Sequence, residues 1–246
     1  MKKLFLAFAV LALLCLGASA QAVVVIDGFS DYMTPVVAPA MEWPSQGWEI
    51  LPTTAGQTYV ETGLSGVVGG TRKTVLWSSS SVPSYSIDAL LVTTAPDNSL
   101  GFANSTNSWS TVSLVYDANG AGLNLNASSG TKFSADMWFD HLGNGRTSTL
   151  SMTVIDGMAN TSTVSRTWST YTIPNPNPET YSFLFSEFAG INFGEIDSIT
   201  LSYSSDNGND WAFYPISSDI AVPEPSSIIA LLGGLGSLLA FRRRRA

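Results

Sequence analysis

Apolar residues along the middle of the chain alternate with Ser, Thr and other polar residues in short segments, and no window holds apolar residues at i, i+3, i+4 and i+7. A two-residue period is that of a half-buried strand. It predicts strands at 23–26, 58–60, 74–77, 87–92, 112–116, 123–126, 133–139, 149–155, 163–171, 181–185, 196–203 and 211–216. Asn119-Gly120, Asn144-Gly145, Asp156-Gly157 and Asn207-Gly208 fall between these segments and supply the positive φ angles that tight hairpins need. About a dozen strands in about 200 residues predict an all-β fold, a single antiparallel two-sheet β-sandwich of jelly-roll type. The run Pro174-Asn175-Pro176-Asn177-Pro178 could divide the chain. Only about three strands follow it, too few for a core of their own, so one domain is expected over 21–216 and 217–221 reads as a spacer.

The two ends break the pattern. Lys2 and Lys3 precede an apolar run from Leu4 to Gly17, and Ala18-Ser19-Ala20 then offers small side chains at the positions signal peptidase reads. A signal helix over 1–20, cut between Ala20 and Gln21, is expected; a retained N-terminal anchor is the alternative. Cutting there removes Cys15, the one cysteine, so the mature chain would hold neither disulfide nor thiol.

At the other end Val222-Pro223-Glu224-Pro225 leads into an apolar run from Ile228 to Phe241 and a terminal basic cluster of Arg242, Arg243, Arg244 and Arg245. The two prolines hold the chain extended around Glu224, which suits a protease cleft. As a helix the apolar run, 228–241, would span about 21 Å against a hydrocarbon core of about 30 Å, so it would borrow flanking residues and thin the bilayer locally. The four arginines, 242–245, would stop translocation and keep their end cytoplasmic, which puts the remainder outside. This tripartite tail, 222–246, resembles the PEP-CTERM sorting signal, with Pro223, Glu224 and Pro225 as its motif. The resemblance implies processing by exosortase, an integral-membrane protease, and delivery of the ectodomain to the cell envelope, the cell surface or the extracellular matrix of an exopolysaccharide-forming bacterium. A membrane-anchored precursor is expected before that cut, and an ordinary C-terminal anchor is the alternative.

Charge sharpens the picture. Gln21 to Ala221 carries five basic and 18 acidic residues, a net charge of −13, so nucleic acid is not an expected partner. Ser and Thr supply 52 of those 201 residues, so hydroxyls rather than charges keep the strands wet. The opening Asp27-Gly28-Phe29, taken with Val67-Val68-Gly69-Gly70-Thr71-Arg72, resembles the start of galactose-binding-like jelly-roll domains.

Candidate chemistry is sparse. His141, the one imidazole, sits beside Gly143-Asn144-Gly145 and reads as a turn residue; there is no G-x-S-x-G elbow and no phosphate-binding glycine pattern. No catalytic residue is assigned. Zinc lacks ligands, and no cofactor is expected. Asp206-Asn207-Gly208-Asn209-Asp210 gathers oxygen donors that calcium would take, with Asp206 and Asp210 its carboxylates, but Gly208 stands where a calcium loop places a ligand and the stretch also reads as a hairpin turn. The sharper candidate is sugar binding. All seven Trp lie within Trp43 to Trp211, and on the strand at 133–139 the alternation puts Asp136, Trp138 and Asp140 on one face while Phe133, Ala135, Met137 and Phe139 share the other. An indole on a polar face, flanked by carboxylates, suits polysaccharide recognition, although any one Trp also serves as a core residue. The expected function is a non-enzymatic surface or exopolysaccharide-matrix protein, structural or adhesive, with polysaccharide affinity. The rival is a secreted carbohydrate-active enzyme using two of the many carboxylates.

Overall fold

Alternation becomes burial throughout the computed structural model, which describes residues 22–30, 48–49, 57–78, 87–92, 98–104, 109–140, 147–169, 177–205 and 208–222. In the strand at Lys132–Phe139, Phe133, Ala135, Met137 and Phe139 are buried and their neighbours are not; Ser110–Tyr116 and Ser148–Asp156 repeat the pattern. The chain divides by contact into Val25–Ser218, which carries the core, and a unit of the two ends, Met1–Val24 with Asp219–Ala246, of which 22–24 and 219–222 are described.

The strands are β1 (Ala22–Asp27), β2 (Trp48–Glu49), β3 (Gln57–Thr62), β4 (Thr71–Ser78), β5 (Ile87–Val92), β6 (Ser99–Asn104), β7 (Ser110–Tyr116), β8 (Lys132–Phe139), β9 (Ser148–Asp156), β10 (Thr161–Trp168), β11 (Glu179–Leu184), β12 (Ile196–Ser204) and β13 (Asp210–Val222). They form two antiparallel sheets. The first runs β11-β8-β13-β6-β5-β2, with β1 pairing β13 off this path; the second runs β10-β9-β12-β7-β4-β3. The helices among the described residues are three short 3-10 turns, and none is long and apolar enough to cross a membrane. The expected signal helix at 1–20 and membrane helix at 228–241 lie outside the described residues.

Several expectations change. Leu123 to Asn126 is no strand; it is irregular chain held by an isolated bridge between Leu125 and Ile196 and by the Leu123 N–H on the Asp197 carbonyl at 2.8 Å. The segments β2 and β6 are strands the period did not mark, and 217–221, read as a spacer, continues β13 as far as Val222. Pro215 does not break that strand. It falls in a register shift between Phe213 and Ile216, where a bulge tolerates a residue that has no N–H to give. Asn119-Gly120 does take positive φ, but β7 and β8 belong to different sheets, so that stretch is a crossover and not a hairpin. The same holds for Gly208, between β12 and β13. Asp156-Gly157 does open a hairpin, β9 to β10, although there Ala159 carries the positive φ.

Between the sheets Ile26, Leu76, Leu114, Phe133, Met137, Met152, Phe183, Leu201 and Phe213 are fully enclosed. Burying each side chain of this size contributes about 1.5–3 kcal/mol. A second aromatic knot sits below β8, where Phe185 stacks on Phe193 at 4.0 Å and Phe133 meets Phe185 at 4.8 Å. The outer face of the second sheet is instead a ladder of hydroxyls. Ser113 pairs Ser202 at 2.7 Å, Ser151 pairs Ser165 at 2.9 Å and Thr153 pairs Thr163 at 2.8 Å.

Candidate functional site

Strand β8 turns Lys132, Ser134, Asp136 and Trp138 away from the core, because the apolar residues between them are taken up by it. Register then fixes what lies beside Trp138. Trp138 stands opposite Ala212 of β13, Ala212 opposite Gly101 of β6, Gly101 opposite Leu90 of β5, and Leu90 opposite Trp48 of β2. One row across five strands therefore runs from an indole over a methyl group and a bare Cα. With strands about 4.8 Å apart, the buried Ala212 and the half-buried Gly101 carry the row about 10 Å from Trp138.

Trp138 is partly exposed. Among the five Trp side chains described, the other four have ring partners: Trp211 with Phe102 and Tyr203, Trp168 with Phe139 and Tyr181, and Trp77 with Trp109. Trp211 is the core residue of the set, 1% exposed. No ring contact among the described residues engages Trp138.

The flanking carboxylates are held in place. Thr180 donates its hydroxyl to Asp136 Oδ1 at 2.6 Å, and β11 supplies it by pairing Thr180 with Asp136. Asp140 Oδ1 accepts the Asp210 N–H at 3.0 Å, and the Asp140 N–H reaches the Asp210 carbonyl at 2.9 Å. Asp210 Oδ1 in turn accepts the Asn104 N–H at 3.1 Å. These bonds fix the two carboxylates that flank Trp138 in the sequence.

Of the other sequence candidates, Asp206 and His141, the signal-cleavage residues Ala18, Ala20 and Gln21, and the sorting motif Pro223, Glu224 and Pro225 lie outside the described residues. So do the four arginines of the expected membrane stop, Arg242, Arg243, Arg244 and Arg245. Asp210 lies at the start of β13, and no group of three or more His, Cys, Asp or Glu suited to a metal occurs among the described residues. What the sequence did not mark is the row beside Trp138. Gly101 was its one signal, since a glycine inside a strand notes a place where something approaches the backbone closely.

The segments Asp27-Gly28-Phe29 and Val67 to Arg72 also meet, but inside the protein. Arg72 is fully buried; its Nη1 reaches Asp27 Oδ2 at 2.9 Å and its Nε reaches Glu61 Oε2 at 2.8 Å. Tyr116 donates its hydroxyl to Asp27 Oδ2 at 3.0 Å, and the Phe29 N–H closes on Oδ1 at 2.8 Å. Burial pushes the Asp27 carboxyl up against the pull of Arg72, whereas Arg72, despite burial, is held more firmly protonated by Asp27 and Glu61. This cluster ties β1, β3, β4 and β7 together; it is a staple and not a reactive centre.

Residues 221–245 match the family model of the PEP-CTERM protein-sorting motif. Such a motif implies an exported protein, processed by exosortase and sorted to the cell envelope or surface. No curated protein matches the chain. Among solved structures it is similar to a family 11 carbohydrate-binding module from Clostridium thermocellum in complex with a β-1,3-1,4-mixed-linked tetrasaccharide, at 15% identity over 70% of this chain and 100% of the module, TM-score 0.38. It is also similar to TmCBM61 in complex with β-1,4-galactotriose, at 12% identity over 57% of this chain and 85% of that one, TM-score 0.34. The enzymatically active domain of tailspike protein 4 of bacteriophage CBA120 is similar at 13% identity over 58% of this chain and 19% of that one, TM-score 0.37.

Proposed function

We propose that the protein is a non-enzymatic surface or exopolysaccharide-matrix component whose sandwich binds polysaccharide across the Trp138 face. In this reading signal peptidase cuts after Ala20, the precursor is held in the membrane through 228–241 with Arg242, Arg243, Arg244 and Arg245 as its stop, and exosortase cuts near Pro223-Glu224-Pro225. The observation that supports binding is the partly exposed indole of Trp138, in register with Ala212 and Gly101 and flanked along its chain by the fixed carboxylates of Asp136 and Asp140. A pyranose lays its C–H face on an indole, and its hydroxyls meet fixed carboxylate acceptors at the rim. Affinity electrophoresis in polysaccharide purified from the producing cells tests it. Trp138→Ala is expected to weaken retardation tenfold or more, about 1.4 kcal/mol; unchanged retardation would refute this face as the site.

Hydrolysis has less support. Two carboxylates working on a glycosidic bond stand about 5–10 Å apart, whereas Asp136 and Asp140 are four residues apart on one extended chain, about 13 Å. Asp140 and Asp210 are nearer neighbours, but each spends an oxygen on a main-chain N–H. Release of reducing sugar by the wild type, abolished in Asp140→Asn, would favour the enzyme reading.

A further inference from the structure

The second sheet carries an aromatic platform of its own on the side away from Trp138. In β4, after the buried Thr71, burial alternates through Arg72, Thr74 and Leu76, so Trp77 faces outward, where it is 38% exposed. Trp109, just before β7, joins it with ring centroids 4.6 Å apart and planes tilted by 52°. Opposite Trp77 stands Thr111, and the same row continues through Ser204, Thr149 and Thr167. Thr111 already donates to Ser204 Oγ at 3.2 Å. From Trp77 the row crosses four strand spacings, about 19 Å. Every side chain along it after the indole is a neutral hydroxyl, able to donate and to accept.

We infer that Trp77 and Trp109, with this hydroxyl row, form a second glycan-binding surface, and that the ectodomain therefore bridges two polysaccharide chains. The inference rests on the polysaccharide reading of Trp138 and extends it. The class of ligand follows from the surface. A charged polymer would want fixed counter-charge, and the row offers none. A neutral glycan segment offers a C–H face for the indole and hydroxyls to interleave with the ladder. Geometry makes the two surfaces independent. They lie on opposite faces of sheets packed about 10 Å apart, so one chain seated on Trp138 leaves the Trp77 face free for another. Two linked sites raise avidity on a polymer and cross-link it, neither of which one site can do.

The test mixes the purified full chain with the extracellular polysaccharide of the producing cells and follows light scattering as protein is titrated, beside affinity electrophoresis. Wild type is expected to raise the polymer mass to a maximum and lower it again at excess protein, as a bivalent linker does. The double variant Trp77→Ala/Trp109→Ala should lose the scattering maximum and about tenfold or more in apparent affinity, while still being retarded through Trp138. Trp138→Ala should likewise stop cross-linking yet keep partial retardation. Trp77→Phe should keep most of both, which separates stacking from mere packing. Cross-linking by the Trp77→Ala/Trp109→Ala variant at the wild-type level would overturn the second surface. So would complete loss of binding in Trp138→Ala alone, which leaves the first site standing. Sedimentation showing a wild-type dimer that Trp77→Ala dissociates would overturn it too, by making the patch a self-contact. Absence of wild-type retardation would overturn both sites together.

Discussion

At the scale of single residues the protein spends its few charges in fixed places. Arg72 neutralises Asp27 and reaches Glu61, and the Phe29 ring lies 5.3 Å from the guanidinium. Removing one member of a buried pair strands the other, which costs about 3–5 kcal/mol, whereas replacing both with apolar groups costs far less. Arg72→Met is therefore expected to cost that much in urea denaturation, and the double variant Asp27→Leu/Arg72→Met to recover part of it. Asp156 plays a different part. Its carboxylate accepts the Asn160 side-chain amide, the Asn192 N–H and the N–H groups of Asn160 and Met158, and these donors hold it down at about 2. A carboxyl depressed on folding stabilises the native state above its unfolded value of 3.8, and that contribution fades as pH falls through about 2. Melting temperature should fall between those two values in the wild type, and the fall should be shallower in Asp156→Asn. Sequence could name Asp156 as a turn residue; it could not supply Asn192, which comes from 36 residues away.

At the scale of elements, period two was enough for most strands because one face of each is buried and the other is wet, as β8 shows. Strand β6 escaped for the same reason the candidate site exists. Its outer face carries Gly101, so the segment reads as a breaker although Leu100 and Phe102 point inward. Local turn signals were also silent on which sheet comes next: Gly208 takes positive φ whether it closes a hairpin or, as here, carries the chain from one sheet to the other. The hydroxyl ladder shows what an outer face needs when charges are scarce. Thr153 and Thr163 bond one another at 2.8 Å on the surface, where such a bond is worth little net. Thr153→Val/Thr163→Val is thus expected to change stability by less than about 0.5 kcal/mol. The same variant should be less soluble, since it enlarges an apolar area on a face where Lys73 of β4 is the charge at hand to oppose association; urea melts and precipitation by polyethylene glycol would read the two effects separately. At the neighbouring edge Arg166 reaches the Ser182 carbonyl and Glu187 at 2.7 Å each, which ties β10 of one sheet to the chain around β11 of the other.

At the scale of the whole molecule, the tail and the sandwich divide the work, and the tail was the more legible of the two. Its signal is linear: Pro223-Glu224-Pro225, an apolar run and Arg242 to Arg245 follow one another in the chain, and the sorting-motif model matches them over 221–245. The proposed binding face, by contrast, draws on β8, β13 and β6, which only the folded register brings together. The matched residues, 221–245, begin within β13, which runs to Val222. Two lesions separate recognition from anchoring. Glu224→Ala keeps the proline geometry and the membrane run while removing the charge between the prolines; deleting Arg242, Arg243, Arg244 and Arg245 keeps the motif while removing the stop that fixes its depth. Both should leave a membrane-held precursor whose intact mass still includes residues 228–241, while the wild type from the extracellular fraction should begin at Gln21 and end near the motif. If both variants yield the wild-type mass outside the cell, processing does not depend on this tail and the exosortase reading fails.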